Sequence, residues 1–282
     1  MQGKIVVLTG ASSGIGLETA RGVAALGARM AMVCRSPERG EAARRALLRE
    51  LPDAQLDLLV ADLSSQRQIR CLADEIGHRY DRIDVLVNNA AAVYSRQTFS
   101  EDGIEMQLAV NHLAAYLLTR LLLDSLCRSG RGRVVNVASR AHFRGRIDFD
   151  DLHGSRSYFG PRAYNQSKLA NVLFTYELAR RTAGRGVTAN CVHPGLVRTR
   201  FGNKHTLPHH GLLHSLLCLF GVAPAEGART PIYLASSPDV EGVTGRYFAN
   251  GRPAPSSEAS RDRALAERLW RVSAELTHLP AE

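Results

Sequence analysis

With 282 residues and 45% apolar side chains, the chain is long enough for one large domain or two ordinary ones with a filled core. Its net charge of +9 suits an acidic partner, but the 36 basic residues are spread along the whole length without a dense run or interleaved aromatics, which speaks against nucleic-acid binding. Five cysteines stand singly with no C-x-x-C pair, which argues against a disulfide framework or a zinc site and for a reducing, intracellular compartment.

Apolar runs rich in Val and Ile recur at 5–9, 29–34, 55–61, 83–90, 132–139 and 186–192, with a weaker one at 245–248. Runs apolar on both faces predict buried parallel strands. Helix-length segments lie between them at 17–27, 37–51, 65–80 and 104–126. This alternation predicts an α/β doubly wound Rossmann fold, a sheet of about seven parallel strands with helices on both faces. With no repeat and no linker before a polar stretch at 252–260, a single domain over 1–282 is the economical expectation. The opening run is too short for a signal peptide, and the apolar stretch at 212–222 is well under the ~20 residues of a membrane-spanning helix.

The first run passes directly into TGASSGIG, Thr9 to Gly16. A strand-to-helix turn at the carboxyl edge of such a sheet presents unpaired amides and a partial positive charge, which attract phosphate. A side chain at Gly10, Gly14 or Gly16 would obstruct the turn, the approach of a pyrophosphate or the packing of helix on strand. Gly10, Ser12, Ser13, Gly14, Ile15 and Gly16 are therefore candidate cofactor-binding residues. The second strand ends in Cys34-Arg35, where an acid would hold the ribose hydroxyls of NAD; Arg35, with Arg39 a turn later, suits the extra phosphate of NADP instead. The expected cofactor is NADP(H) before NAD(H).

Only three of the basic residues are lysines, and one of them, Lys168, stands four residues after Tyr164 in a segment whose Pro161 suits a helix start. Tyr164, Lys168, Asn171 and Thr175 then share one helix face, opposite Leu169, Leu173 and Tyr176. A tyrosine serves as acid and base at neutral pH only if its pKa falls from ~10 toward ~7, which takes ~4 kcal/mol. A lysine cation at ~4 Å supplies ~4 kcal/mol at an effective dielectric near ~20. Ser139 ends the fifth strand at the same edge, where its hydroxyl can orient a substrate carbonyl. Asn111 lies within the long fourth helix, either in a structural hydrogen bond or holding a water for proton relay.

Together these features resemble the short-chain dehydrogenase/reductase family: TGASSGIG, Asp62-Leu63, NNAA (88–91), Asn111, Ser139, Tyr164/Lys168 and HPGLVRT (193–199). Within it the chain is most similar to the retinol dehydrogenase and WW-domain oxidoreductase branch, through NVASRAH (136–142), IDFDDL (147–152), YNQSKLANVLFTYELAR (164–180) and LWRVSAELT (269–277). The resemblance implies a catalytic tetrad of Asn111, Ser139, Tyr164 and Lys168, with Lys168 also gripping the nicotinamide ribose. It implies that Asp62 and Leu63 flank the adenine, that Asn88 to Ala90 line the dinucleotide path, and that Pro194, Gly195, Val197 and Thr199 hold the nicotinamide end. Ala91 departs from the usual glycine of NNAG, and Ala114-Ala115 from a Gly-His pair.

These residues lead to the expectation of an NADP(H)-dependent oxidoreductase acting on a lipophilic aldehyde, ketone or alcohol, with an NADP-binding redox sensor or a sugar-nucleotide epimerase as alternatives. Membrane-bound members of the branch carry an apolar N-terminal anchor that is missing here, hence the expectation of a cytoplasmic protein. A homodimer through the fourth and fifth helices is the family habit. Residues 200–222 are expected to form the substrate loop, either a lipophilic lid or an ordinary amphipathic helix. No metal site is expected: His205, His209, His210 and His214 read as a solvated loop.

Overall fold

The computed structural model describes residues 1–195, 197 and 222–281. All seven apolar runs are parallel strands of one sheet: β1 (Ile5–Thr9), β2 (Arg29–Cys34), β3 (Leu56–Val60), β4 (Val85–Asn88), β5 (Gly132–Val137), β6 (Val187–His193) and β7 (Arg246–Ala249). Their order is β3-β2-β1-β4-β5-β6-β7. An eighth strand, β8 (Arg252–Pro253), pairs antiparallel with β7, so the sheet exceeds the expected seven.

Side-chain alternation explains why both faces are covered. Val7, Ala31, Val33 and Leu86 enter one core, while Val6, Leu8, Met30 and Met32 enter the other. With neither face polar, each must be buried under helices. One core is closed by α1 (Gly14–Ala25), α2 (Pro37–Glu50) and, after the sixth strand, α8 (Pro224–Ser236). The other is closed by α3 (Gln66–Arg79), α5 (Ala114–Leu121), α7 (Gly160–Arg181) and α9 (Arg263–Leu276). The strand order reverses between β1 and β4, and a crevice at that switch point faces the carboxyl ends of the strands.

Two segments depart from expectation. The long helix expected over 104–126 is broken into α4 (Met106–Leu108), a π-helical turn at Ala109–Leu113, α5, and α6 (Leu123–Arg128). Such turns insert a residue and re-aim the side chains around them; here they are Asn111 and His112. The polar stretch at 252–260 is no tail, for Ser256, Ser257 and Ser260 are buried. Their hydroxyls are satisfied internally: Tyr176 Oη donates to Ser256 Oγ at 2.8 Å, and Ser260 Oγ donates to Ser256 Oγ at 2.8 Å. Beyond them α9 lies on α7, with Trp270 edge-on to Tyr116 at 5.0 Å and near-parallel to Phe174 at 5.9 Å.

Trp270 is the chain's only tryptophan, so its fluorescence reports on this packing. Because α9 shares a core with β1 and β4, denaturant unfolding followed by Trp270 fluorescence is expected to coincide with loss of far-UV circular dichroism. Phe174→Ala should lower stability by about 3–5 kcal/mol. An earlier, separate fluorescence transition would show that α9 is not part of the common core.

Candidate active site

At the switch point the backbone is arranged by glycine and two polar side chains. Gly10 and Gly14 have φ of 70° and 56°, a region that L residues with side chains rarely adopt. A Cβ on Gly16 would stand 2.1 Å from Gly10 O and 2.5 Å from Asn89 Nδ2, so α1 presses directly on the end of β1. Asn89 Nδ2 donates to Thr9 O at 2.9 Å, and Thr9 Oγ1 accepts the backbone N–H groups of Asn89 and Ala90 at 3.0 Å each. These bonds stitch the ends of β1 and β4 together. The helices α2 and α3 are capped by Ser36 and Ser65, whereas α1 begins after Ser13 with no side-chain cap and no acid in its first turn. Its leading amides stay open to the crevice, and that narrow, positively polarised turn has the shape and charge that a diphosphate requires.

The remaining predicted cofactor residues surround this turn with varying exposure. Ser12 lies near the Cys34 thiol at the end of β2, and Ser13 is exposed. Arg35 and Arg39 are exposed beside it and form no ion pair with the described residues. Asp62 Oδ1 accepts from the N–H and hydroxyl of Ser64 at 2.9 and 2.8 Å, which leaves its second oxygen uncommitted. Leu63 and Ala90 border a small crevice together with Thr9, Asn88, Ala114 and Ala115. The Asn88 amide nitrogen is committed inward: Nδ2 donates to Thr119 Oγ1 at 2.9 Å and to Asn136 Oδ1 at 2.8 Å. Pro194, Gly195 and Val197 follow β6. A Cβ on Gly227 of α8 would meet Val197 Cγ2 at 2.6 Å, Pro194 O at 3.2 Å and Ile15 Cγ1 at 3.4 Å, so this loop rests beside the glycine turn. Thr199, the four histidines and most of the 200–222 loop lie outside the described residues.

Ser139, Tyr164 and Lys168 meet at the same edge. Ser139 follows β5 in extended conformation (φ −163°) and accepts the N–H of Ala141 at 3.2 Å, capping the 3-10 turn Arg140–Arg144. The Tyr164 phenol lies near the Ser139 side chain, whose hydroxyl favours the phenolate. Lys168 is 2% exposed, with Nζ 5.7 Å from the centre of the Tyr164 ring and donating to Val137 O at 3.0 Å. An ammonium has three N–H donors, and only that one has an acceptor among the described residues. Burial pushes the Tyr164 phenol up to about 12, against the pull of the nearby Ser139 hydroxyl, and pushes the Lys168 ammonium down to about 8.

The acidification expected from Lys168 alone is therefore not present in the unliganded site. A cation at 5.7 Å stabilises a phenolate by about 3 kcal/mol at an effective dielectric of ~20. Desolvation of the phenolate outweighs that here.

Asn111 joins the cluster through structure. Its Oδ1 accepts the N–H of Ala92 at 2.7 Å, while Nδ2 donates to Ala92 O and to Ser167 Oγ, each at 3.0 Å. The π-turn thus aims an amide that clamps the loop after β4 onto α7, next to Lys168. The amide nitrogen is thus fully committed, while its oxygen accepts one N–H and keeps a second lone pair. Sequence reasoning missed Thr9, Asn89 and Ser167 as braces, since their partners are distant in the chain; Asn89 lies inside the quoted NNAA motif and was the nearest signal. A groove of about 490 Å³ also opens at the opposite, amino edge of the sheet between Lys4, Asp84, Arg133 and Thr244, but no predicted site residue lines it.

Residues 4–208 match the family model described as short chain dehydrogenase, and the chain belongs to that family. Within it the chain falls with the retinol dehydrogenases. It is 44% identical to retinol dehydrogenase 14 of Mus musculus, across 97% of this chain and 85% of that one. It is 42% identical to human retinol dehydrogenase 13 across 99% and 86%. Among solved structures, an uncharacterized protein from Mycobacterium paratuberculosis superposes with a TM-score of 0.81 at 34% identity, covering 100% of this chain and 96% of that one. A protein described as an NAD(P)-dependent gluconate 5-dehydrogenase from Beutenbergia cavernae, with NADP bound at low occupancy, gives 0.70 at 28% identity over 89% and 96%. The chain is accordingly an oxidoreductase acting on CH–OH groups.

The same relatives correct the expectation of a cytoplasmic protein. They lie in the branch that contains membrane-associated enzymes, and each extends beyond the part this chain matches, so a missing anchor in these residues does not argue for the cytoplasm. No helix among the described residues is long and apolar enough to cross a membrane.

A buried cation with one acceptor is costly without a ligand. Lys168→Met should therefore raise the stability of the unliganded chain by about 1–3 kcal/mol at pH 7. For a base whose folded pKa is depressed to about 8 from 10.5, stability is gained as pH rises above about 8, because the unfolded chain holds the extra proton. The advantage of the variant should consequently shrink between pH 8 and 10 in paired thermal melts; a constant difference, or a less stable variant, would contradict this reading.

Proposed function

We propose that the chain is an NADP(H)-dependent oxidoreductase that moves a hydride between nicotinamide and the carbonyl or alcohol carbon of a lipophilic aldehyde, ketone or alcohol. The observation that carries this reading is the nearly bare ammonium of Lys168, buried beside the Tyr164 ring at the carboxyl edge of the sheet. Its two unused donors suit the hydroxyls of a ribose. Arg35 and Arg39, exposed at the end of β2, suit a phosphate on the adenine ribose. The lipophilic character of the substrate is taken from the relatives, whose names specify retinol.

A bound oxidised nicotinamide supplies the hydride acceptor and a second positive charge beside the phenol. In the oxidation direction Ser139 hydrogen-bonds the substrate oxygen, and ionised Tyr164 takes its proton as the carbon gives up hydride. In reduction Tyr164 returns that proton to the carbonyl oxygen. Lys168 stabilises the phenolate in both directions, and Asn111 keeps α7 registered against the loop after β4. Thr9 and Asn89 keep the glycine turn open. A redox sensor without turnover would need the glycine turn but not the pairing of Tyr164 with the buried Lys168, and is not favoured. A homodimer would have to use surfaces other than the face of α5 and α7 on which Trp270 packs.

The test is NADPH or NADH oxidation by the purified chain against a panel of aldehydes and ketones that includes retinal. NADPH is the expected donor, and Tyr164→Phe should lower kcat by about 10²- to 10⁴-fold with the KM for NADPH little changed. Equal turnover by that variant would remove the acid/base role. Arg35→Asp should raise the KM for NADPH by about 10- to 100-fold and leave that for NADH near its original value. Unchanged selectivity would refute the NADP assignment.

A further inference from the structure

His142 lies three residues beyond Ser139 and is completely buried (0% exposed), yet the proposed chemistry does not use it. Its Nδ1 is 2.6 Å from the Ser139 carbonyl oxygen, and its Nε2 is 3.1 Å from the backbone nitrogen of Ser257. A carbonyl only accepts and an amide only donates, so these partners fix one tautomer: Nδ1–H donates to Ser139 and bare Nε2 accepts from Ser257. The ring also packs on Phe143 at 4.2 Å and on Tyr247 at 4.8 Å. Burial keeps it neutral, in accord with that tautomer.

The two bonds close a circuit around the site. Ser257 belongs to the buried stretch after β8, and Ser256 beside it accepts from Tyr176 Oη at 2.8 Å. Tyr176 is on α7, twelve residues, or about 18 Å of helix, beyond Tyr164. The path therefore runs from Ser139 through His142, Ser257, Ser256 and Tyr176 back to the helix that holds Tyr164. His193 reinforces the turn, since its Nδ1 accepts the N–H of Arg140 at 3.3 Å.

We propose that His142 is a positioning residue: its Nδ1–H bond to the Ser139 carbonyl sets the aim of the Ser139 hydroxyl relative to Tyr164 and the substrate oxygen, while its Nε2 bond to the Ser257 amide anchors the stretch after β8. The proposal rests on the role assigned above to Ser139. Displacing such a hydroxyl by an ångström slows the reaction without disturbing the cofactor at the distant glycine turn.

Three variants separate the two bonds. His142→Phe keeps a ring and loses both; His142→Asn keeps a donor near the Nδ1 position; His142→Gln keeps an acceptor near the Nε2 position. With NADPH and the best carbonyl substrate of the panel, His142→Phe should lower kcat by about 10- to 100-fold with NADPH affinity within about twofold. His142→Asn should recover most of that loss and His142→Gln little of it. By amide hydrogen exchange, peptides covering 254–260 should exchange at least about tenfold faster in His142→Phe and His142→Asn, with those covering 5–16 unchanged. Ser139→Ala serves as the control. If Ser139→Ala is fully active, or no carbonyl is reduced by the unmodified chain, the role of Ser139 itself fails and the proposal with it. If Ser139→Ala is impaired while His142→Phe turns over normally, only the role of His142 fails. Equal kcat losses in Asn and Phe variants, or parallel loss of NADPH affinity, would mark His142 as merely structural and overturn the proposal. Should His142→Phe not fold, the Asn-against-Gln comparison decides alone.

Discussion

Everything at the candidate site depends on one buried charge. Lys168 enters the protein interior with a single carbonyl acceptor, and desolvation lowers its hold on the proton to about 8, still high enough to leave it mostly charged at neutral pH. The fold tolerates this because the same 22-residue helix also buries Leu169, Ala170, Val172, Leu173, Phe174 and Leu178. Leu169 and Leu173 secure the opposite face of α7 in their own cluster, so the helix cannot rotate to release the ammonium to water. The stability forgone is what holds a cation against a phenol in a site shielded from solvent.

The same balance works against Tyr164 as an acid/base group on its own. Tyr164 alone is pushed toward greater basicity by burial, and one cation near its ring does not compensate. In the proposed mechanism a second positive charge is needed, and the sheet topology puts the cofactor crevice on the same edge. The switch point between β1 and β4 opens next to the end of β5, so a dinucleotide lying on α1 reaches the Tyr164–Lys168 pair. The proposed mechanism thereby makes activation conditional on cofactor binding and ties proton transfer to hydride transfer.

Much of this architecture was legible in the sequence because it is local. Parallel strands buried on both faces must be continuous apolar runs, and the glycines of TGASSGIG and the spacing of Tyr164 and Lys168 lie within one turn or one helix. The unreadable parts are made between distant segments. Nothing near Asn88 signals that its amide turns to Thr119 and Asn136, and nothing near Ser257 signals that its N–H meets His142. A serine-rich stretch at 252–260 reads as solvated when its buried partners, Tyr176 and His142, are about a hundred residues away. The π-turn at Asn111 was hidden for a related reason: local apolar periodicity favours an unbroken helix, and long-range bonds from Asn111 to Ala92 and from His112 to Ser273 at 2.8 Å accompany the break.

The most direct test of this account is the ionisation of the Tyr164 phenol, followed by NMR of ring-labelled tyrosine with Tyr164→Phe for assignment. The phenol should titrate above about 10 in the free chain and fall below about 8 when NADP⁺ is bound, and the fall should largely disappear in Lys168→Met. A pKa that NADP⁺ leaves unchanged, or that falls as far without the lysine as with it, would contradict the claim that paired positive charges activate this tyrosine.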